Sequence, residues 1–316
     1  MVNLQLYFFL NLKMKVTNMI VKSLSVTVAA SILMLASCSK NNELNSADVE
    51  NVSSELLSEA CVAEASEMSI VIFSNVRNSL LGSTLPSIPD LSSIDSLLTG
   101  ALISISGTGG MNNPQGAISI DFKTGTTDHH GILRKGVVKI NYTSRRWAPE
   151  SSYSISFSGY SRNNVKIDDG TNYIIKNLSA DSLAKTRDFY HVLTGCQLIF
   201  PDWKSDQNTF LRNAKFVSTI NFVSKTTTVS VNDTTAISGK TRYGADFVTT
   251  IKTALIYKSQ CSGSKVYLPS DGTKTITVVG SSIYAVDYSS TLTCGQTVGV
   301  KAGDKSATIT VNSDGN

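Results

Sequence analysis

The chain has 316 residues, with 28 Lys plus Arg against 24 Asp plus Glu, a formal charge of +4, 41% apolar residues and 16% charged ones. That length supports one large or two ordinary domains with a real core, and this composition excludes both general disorder and a nucleic-acid-binding protein. Its 45 Ser and 31 Thr make hydroxyl residues about a quarter of the whole.

Residues 1 to 37 carry Lys13, Lys15 and Lys22 and no acid, and an apolar stretch runs from Leu24 to Ala36. A basic region, a short apolar region and small residues before a cut make a secretory leader, too short after Lys22 to be a comfortable membrane span. Leu35, Ala36, Ser37 and Cys38 read LASC, which resembles the lipobox of bacterial lipoproteins. The resemblance implies cleavage before Cys38 and acylation of that residue, so membrane lipid is the expected partner there. Two or three acyl chains, at ~0.8 kcal/mol per buried CH2, hold a protein on a bilayer persistently. Met14 or Met19 would begin a more typical leader than Met1 does. Residues 38 to 316 hold 25 basic and 24 acidic residues, so the mature charge falls to +1.

From Ser39 to Arg77 there are two basic and seven acidic residues. Val49, Val52, Leu56, Ala60 and Ala63 recur at steps of three and four behind Ser46 as N-cap, which predicts an amphipathic acidic helix over about 47–80. Such a helix either packs on the following domain or serves as a stalk. Residues 82 to 116 mix Gly, Ser and Pro around one short apolar run, Ala101 to Ile105, and read as a linker containing at most one strand.

The texture changes to period two from residue 117. Ile118, Ile120 and Phe122 alternate with polar neighbours, as do Val138, Ile140 and Tyr142, then Tyr153, Ile155 and Phe157. Similar alternation returns at Phe247 to Tyr257, at Ile276 and Val278, and at Ile309 and Val311. These are half-buried strands with one wet face, separated by turn chemistry such as DDGTN and SDGTK. Only 178–192 offers a helical pattern between them, so the fold class is mainly β, an antiparallel meander or sandwich preceded by the helix. The expected organisation is a leader over 1–37, an acylated helix and linker over 38–116, and a β domain over 117–316. Residues 38–77 sum to −5 and 78–316 to +6. Acidic helix and basic sheet therefore either pair or are separately solvated.

The stretches IDFKTGTTDHHGILRKGVVKINYT (Ile120 to Thr143), YSISFSGYSRNNVKIDDGTNYIIKN (Tyr153 to Asn177) and the end from QCSGSKVYL to SATITVN resemble a family of uncharacterised Bacteroidota lipoproteins. The resemblance spans about 200 residues, 117 to 312, and implies a β-rich fold, a lipid anchor at the outer membrane and no assigned activity. Family members often carry a cysteine in the first turn, where this chain has Thr126, and a DYG turn near the end, where it has Asp287, Tyr288 and Ser289.

With Cys38 acylated, Cys61, Cys196, Cys261 and Cys294 remain in an oxidising compartment, and four thiols allow three pairings. Cys261 with Cys294 is favoured because both flank the last strand group, which leaves Cys61 with Cys196 by elimination. No CxxC spacing suggests zinc.

From residue 78 onward there is one glutamate, Glu150, so a glycosidase pair of glutamates has no source in the β region. GxSxG, a Walker loop, HExxH and an EF-hand loop are all absent, so no catalytic motif and no cofactor are expected. Two clusters remain as weak ligand candidates. Asp128, His129 and His130 precede Gly131 in a predicted turn, where a solvated turn is a better reading than a metal site. Arg134, Lys135, Lys139, Arg145, Arg146 and Trp147 form a basic, aromatic-edged patch that would suit an acidic glycan or a lipid head group, or would simply be the wet face of an edge strand. Asp95-Ser96-Leu97, Asp181-Ser182-Leu183 and Asp233-Thr234-Thr235 resemble the motif for O-glycosylation of exported Bacteroidota proteins. The expectation is an outer-membrane lipoprotein acting as a non-enzymatic binding or structural module with an envelope protein or glycan partner. Alternatives are an accessory subunit of an outer-membrane assembly or, behind it, an Asp-dependent hydrolase.

Overall fold

The computed structural model describes residues 43–75, 96–108, 115–181, 184–201, 209–232, 235–262, 264–289 and 294–314. The expected leader, the three candidate start methionines and Cys38 lie outside these residues, as do parts of all three expected glycosylation motifs.

One long helix, α1 (Ser46–Asn75), opens the described chain. Asn45 rather than Ser46 caps it: its side-chain oxygen accepts a hydrogen bond from the Asp48 amide at 2.8 Å. Sixteen strands follow. They are β1 (Leu102–Thr108), β2 (Gln115–Asp121), β3 (Thr126–Thr127), β4 (Leu133–Tyr142), β5 (Ser152–Arg162), β6 (Val165–Ile167), β7 (Asn172–Asn177) and β8 (Thr186–Ile199). The second half holds β9 (Thr209–Asn221), β10 (Thr226–Val229), β11 (Ala236–Lys240), β12 (Asp246–Lys258), β13 (Asp271–Val278), β14 (Ile283–Asp287), β15 (Thr297–Ala302) and β16 (Lys305–Thr310). All join one sheet in chain order, a meander in which β6 and β7 share the place between β5 and β8, and β10 and β11 share that between β9 and β12. Within the segment 178–192, helical by pattern, residues 186–192 form the start of β8 instead, where tertiary pairing to β7 and β9 overrides local preference. The first strand, β1, lies inside the stretch expected as linker and pairs with β2 along its whole length.

The helix departs most from expectation. Every residue from Asn51 to Val62 is buried, more than three full turns with no solvated stripe. Its partners come from β4 (Arg134), β5 (Arg162), β9 (Arg212), β12 (Thr249), β13 (Lys274) and β14 (Tyr284). The sheet is therefore curled around α1, which is neither a stalk nor an amphipathic helix lying on a surface. A helix that is buried all round is ordinarily apolar all round. This one carries Glu55, Glu59, Glu64 and Glu67 into the core, and the sheet's inner face supplies the compensating cations.

A bulge aims one of those cations, Arg162. On β5 the inward residues are Tyr153, Ile155 and Phe157, then Tyr160 and Arg162, so the inward parity switches at Ser158 and Gly159. The register of β4 against β5 slips at this point, where Gly136 and Gly159 take φ of +77° and +56°. A Cβ on Gly136 would lie 2.3 Å from the Gly159 carbonyl oxygen, so both the backbone sign and the close approach require glycine. A second slip between Leu193 and Cys196, at Gly195, does the same on β8 and turns Cys196 inward.

Candidate functional site

Two ion clusters lie between α1 and the sheet. In the first, Glu64 accepts from Arg134 Nε and Arg162 Nε, both at 2.8 Å, with all three side chains 2% exposed. Arg134 Nη1 reaches Asp128 at 2.7 Å. Arg162 donates to the carbonyls of Lys265 and Ser313, so this node ties together α1, β4, β5, the segment after β12 and the C-terminal tail. In the second, Lys274 Nζ lies 2.6 Å from Glu55 and 2.7 Å from Glu59. Arg212 also pairs with Glu55, and Tyr288 donates to Glu59 at 2.7 Å.

Burial pushes the Glu64 carboxyl up, but Arg134 and Arg162 more than reverse this and hold its pKa below the ordinary carboxylate value. Glu55 behaves alike: burial raises it, and Lys274 with Arg212 bring it below its ordinary value. Arg134 shows the reciprocal effect, with burial opposing its charge and Glu64 outweighing it. Carboxylates held ionised by two cations each are poor general acids at neutral pH, because that work needs a pKa near the working pH. They are instead the condition for a charged helix to be enclosed at all.

A cavity lies beside these clusters, lined by Ala63, Ser66 and Ile70 of the helix and by Tyr173, His191 and Phe216 of the sheet, among others. His191 has Nδ1 2.7 Å from the Tyr173 hydroxyl, Nε2 2.7 Å from the Ser218 hydroxyl, and its ring stacked on Phe216 at 4.5 Å. Burial, assisted by the charge of Arg146, pushes its pKa down to about 3, so the ring is neutral. With a volume of about 60 Å³, the cavity is far below the ~150 Å³ that admits benzene and suits a few waters.

The two sequence-derived clusters are split by the fold. Asp128 is a structural anchor: it accepts the amides of His130 and Ile132, each at 2.9 Å, as well as Arg134. His129 and His130 remain exposed at the turn tip, with rings 4.2 Å apart. Among the described residues no group of three or more His, Cys, Asp or Glu is placed to hold a metal ion. The basic patch also dissolves. Arg134 and Arg146 point inward, whereas Arg145 is exposed, Trp147 and Lys135 are half-buried and Lys139 is exposed. Arg146 donates to Ser69 of α1 at 2.6 Å and its guanidinium sits 4.5 Å from the centroid of Tyr153 and 4.9 Å from that of Trp147. Burial lowers its pKa from the ordinary value.

Cys261 and Cys294 form a disulfide, 33 residues apart in sequence. Cys61 and Cys196, expected to pair by elimination, are free and buried in the core. Burial pushes both thiols up to about 12.

Sequence reasoning missed the interior cations. Their signal was parity: Arg134 is in phase with Val138 and Ile140, Arg212 with Phe210 and Ala214, and Lys274 with Ile276 and Val278. Arg162 alone was hidden, because the β5 bulge inverts its phase.

Comparison with protein-family models, with curated proteins and with solved structures found no match to this chain.

Proposed function

We propose that this chain is an outer-membrane lipoprotein, anchored through acylated Cys38, whose β domain is a non-enzymatic binding or structural module. The observation that carries the reading is the enclosed helix. Glu55, Glu59 and Glu64, the carboxylates that would otherwise invite a catalytic role, are engaged by Lys274, Arg212, Arg134 and Arg162. The two buried aspartates among the described residues, Asp48 and Asp128, each hold a fold contact, to Tyr284 and to Arg134, which gives an Asp-dependent hydrolase no support.

The anchor reading draws on the basic and apolar leader, on LASC, and on where α1 begins. Seven residues lie between Cys38 and Ser46, a reach of at most about 29 Å. Near the start of α1, Glu50 pairs with Arg242 and Tyr243, and the neighbouring hairpins expose Val279 (65%) and Ile283 (60%). Val248 and Ile283 flank Thr277 across β12, β13 and β14, so they form a row on the outer face. That row is also what favours the second reading, an accessory subunit of an outer-membrane assembly.

Labelling cells with a palmitate analogue tests the anchor. Wild type should carry the label and sediment with membranes, and Cys38→Ala should do neither; an unlabelled, soluble wild type would end the lipoprotein reading. Crosslinking in intact cells followed by mass spectrometry separates the two roles: a stoichiometric outer-membrane protein joined through Val248 or Ile283 selects the accessory subunit.

A further inference from the structure

We infer that the groove between the His129–His130 turn and the Cys261–Cys294 disulfide is a binding site for a carboxylate-bearing saccharide. The groove has a volume of about 630 Å³, inside the roughly 300–1,000 Å³ range of small-molecule sites and ten times that of the interior cavity. Its lining includes His129, His130, Gln260, Ser262, Lys265 and Gln296, with further serines, and among the described residues contains no carboxylate. Among the described residues Lys265 is its single permanent cation, amid hydroxyl, amide and imidazole groups. This mixture matches a ligand that is mostly hydroxyl with an occasional negative charge. A bare phosphate would leave most of the groove unused, and a cation finds no anionic ligand among its described residues.

Both walls are built, and both are referred to one buried residue. On one side Asp128 accepts the His130 and Ile132 amides and so shapes the turn that presents the two imidazoles; Arg134 fixes Asp128, and Glu64 fixes Arg134. On the other side the disulfide closes the segment that follows β12, Ser264 Oγ lies 2.7 and 2.8 Å from the carbonyl oxygens of Cys261 and Val266 with its one proton shared between them, and Arg162 donates to the Lys265 carbonyl. Arg162 is fixed by the same Glu64. The two walls, more than 120 residues apart in sequence, are thus positioned by the two oxygens of one helix carboxylate. Sites held by a rigid supporting shell lose less freedom on binding.

The inference deepens the binding-module reading, and its test does not depend on the anchor. Full-length lipoprotein in detergent is titrated by calorimetry with trigalacturonate and, separately, with maltotriose. The expected result is saturable binding of trigalacturonate, with maltotriose at least about tenfold weaker, equivalent to ~1.4 kcal/mol. Lys265→Glu and the double variant His129→Ala/His130→Ala should each weaken trigalacturonate about tenfold or more while leaving the thermal midpoint unchanged. No binding of trigalacturonate up to roughly 10 mM, equal binding of the two trisaccharides, or full binding by Lys265→Glu would each overturn the inference. Palmitate labelling that succeeds alongside such a result leaves the lipoprotein reading standing and removes the groove alone.

Discussion

Glu64 of the helix and Arg134 of β4, 70 residues apart in sequence, meet at 2.8 Å with both side chains almost fully buried. Their charges were each removed from water at a cost of several kcal/mol, and mutual attraction repays it only while both partners remain. Glu64→Gln leaves Arg134 and Arg162 facing a neutral amide. Urea denaturation should show a loss of about 3–5 kcal/mol, far above the ~0–1 kcal/mol expected for the exposed Lys240–Asp246 pair. A loss below about 1 kcal/mol would mean that water reaches the cluster.

Lys274 is the shared cation of Glu55 and Glu59. Lys274→Met leaves two buried carboxylates with Arg212 in contact with Glu55 only. Destabilisation of about 3–5 kcal/mol near neutral pH is expected. Because a proton on one carboxylate stands in for the missing ammonium, the deficit relative to wild type should shrink as pH falls toward about 5. Stability curves of the two proteins that stay parallel over that range would contradict this account.

His191 sets a second pH dependence of opposite origin. Its pKa is about 3 in the fold against an ordinary 6.5, so between these values the unfolded chain binds the extra proton. Stability is therefore fully present above pH 6.5 and falls as pH drops toward 3, with a slope of up to ~1.4 kcal/mol per pH unit. The lowered carboxyls of Glu55 and Glu64 add their own losses below the carboxylate range. His191→Gln should flatten the curve between about pH 6.5 and 4.5, leaving the steeper acid limb. Chemical denaturation at closely spaced pH values reads this directly.

The four cysteines of the described residues should divide into two classes. Reducing Cys261–Cys294 reopens a closure of 33 residues and should cost about 3–4 kcal/mol on the chain-entropy account. Cys61 and Cys196, buried and with pKa values of about 12, should resist a thiol reagent in the native protein and react once urea unfolds it. Prompt native reaction of either would show that the core around it opens.

Much of the fold was written in alternation. Ile118 to Phe122, Val138 to Tyr142 and Tyr153 to Phe157 each marked a strand that the structure contains, and the disulfide followed from the flanks of the last strand group. Curvature was not legible in the same way. Nothing local to Glu55 or Glu64 says that they are enclosed, since an acidic helix reads identically whether water or arginine faces it. The decisive information was distributed: seven acids near the start, and basic residues set at inward parity on β4, β9 and β13. Bulges hid the rest, because one inserted residue moves every later side chain to the other face. The groove was half visible through His129 and His130, while its other wall, with Gln260, Ser262, Lys265 and Gln296, lies outside the alternating stretches.

The order of synthesis gives the enclosed helix a further consequence. It leaves the ribosome before any strand that will surround it, yet its partners lie 70 to 236 residues downstream. Contacts at such sequence separation make folding slow, since loop-closure entropy is spent before any pair is won. Until Lys274 and Tyr288 arrive, four glutamates and a run of apolar side chains travel together with no wall around them. The nascent protein is thus committed late and all at once, and a chain truncated anywhere before β14 should be a substrate for proteases rather than a smaller version of the same domain.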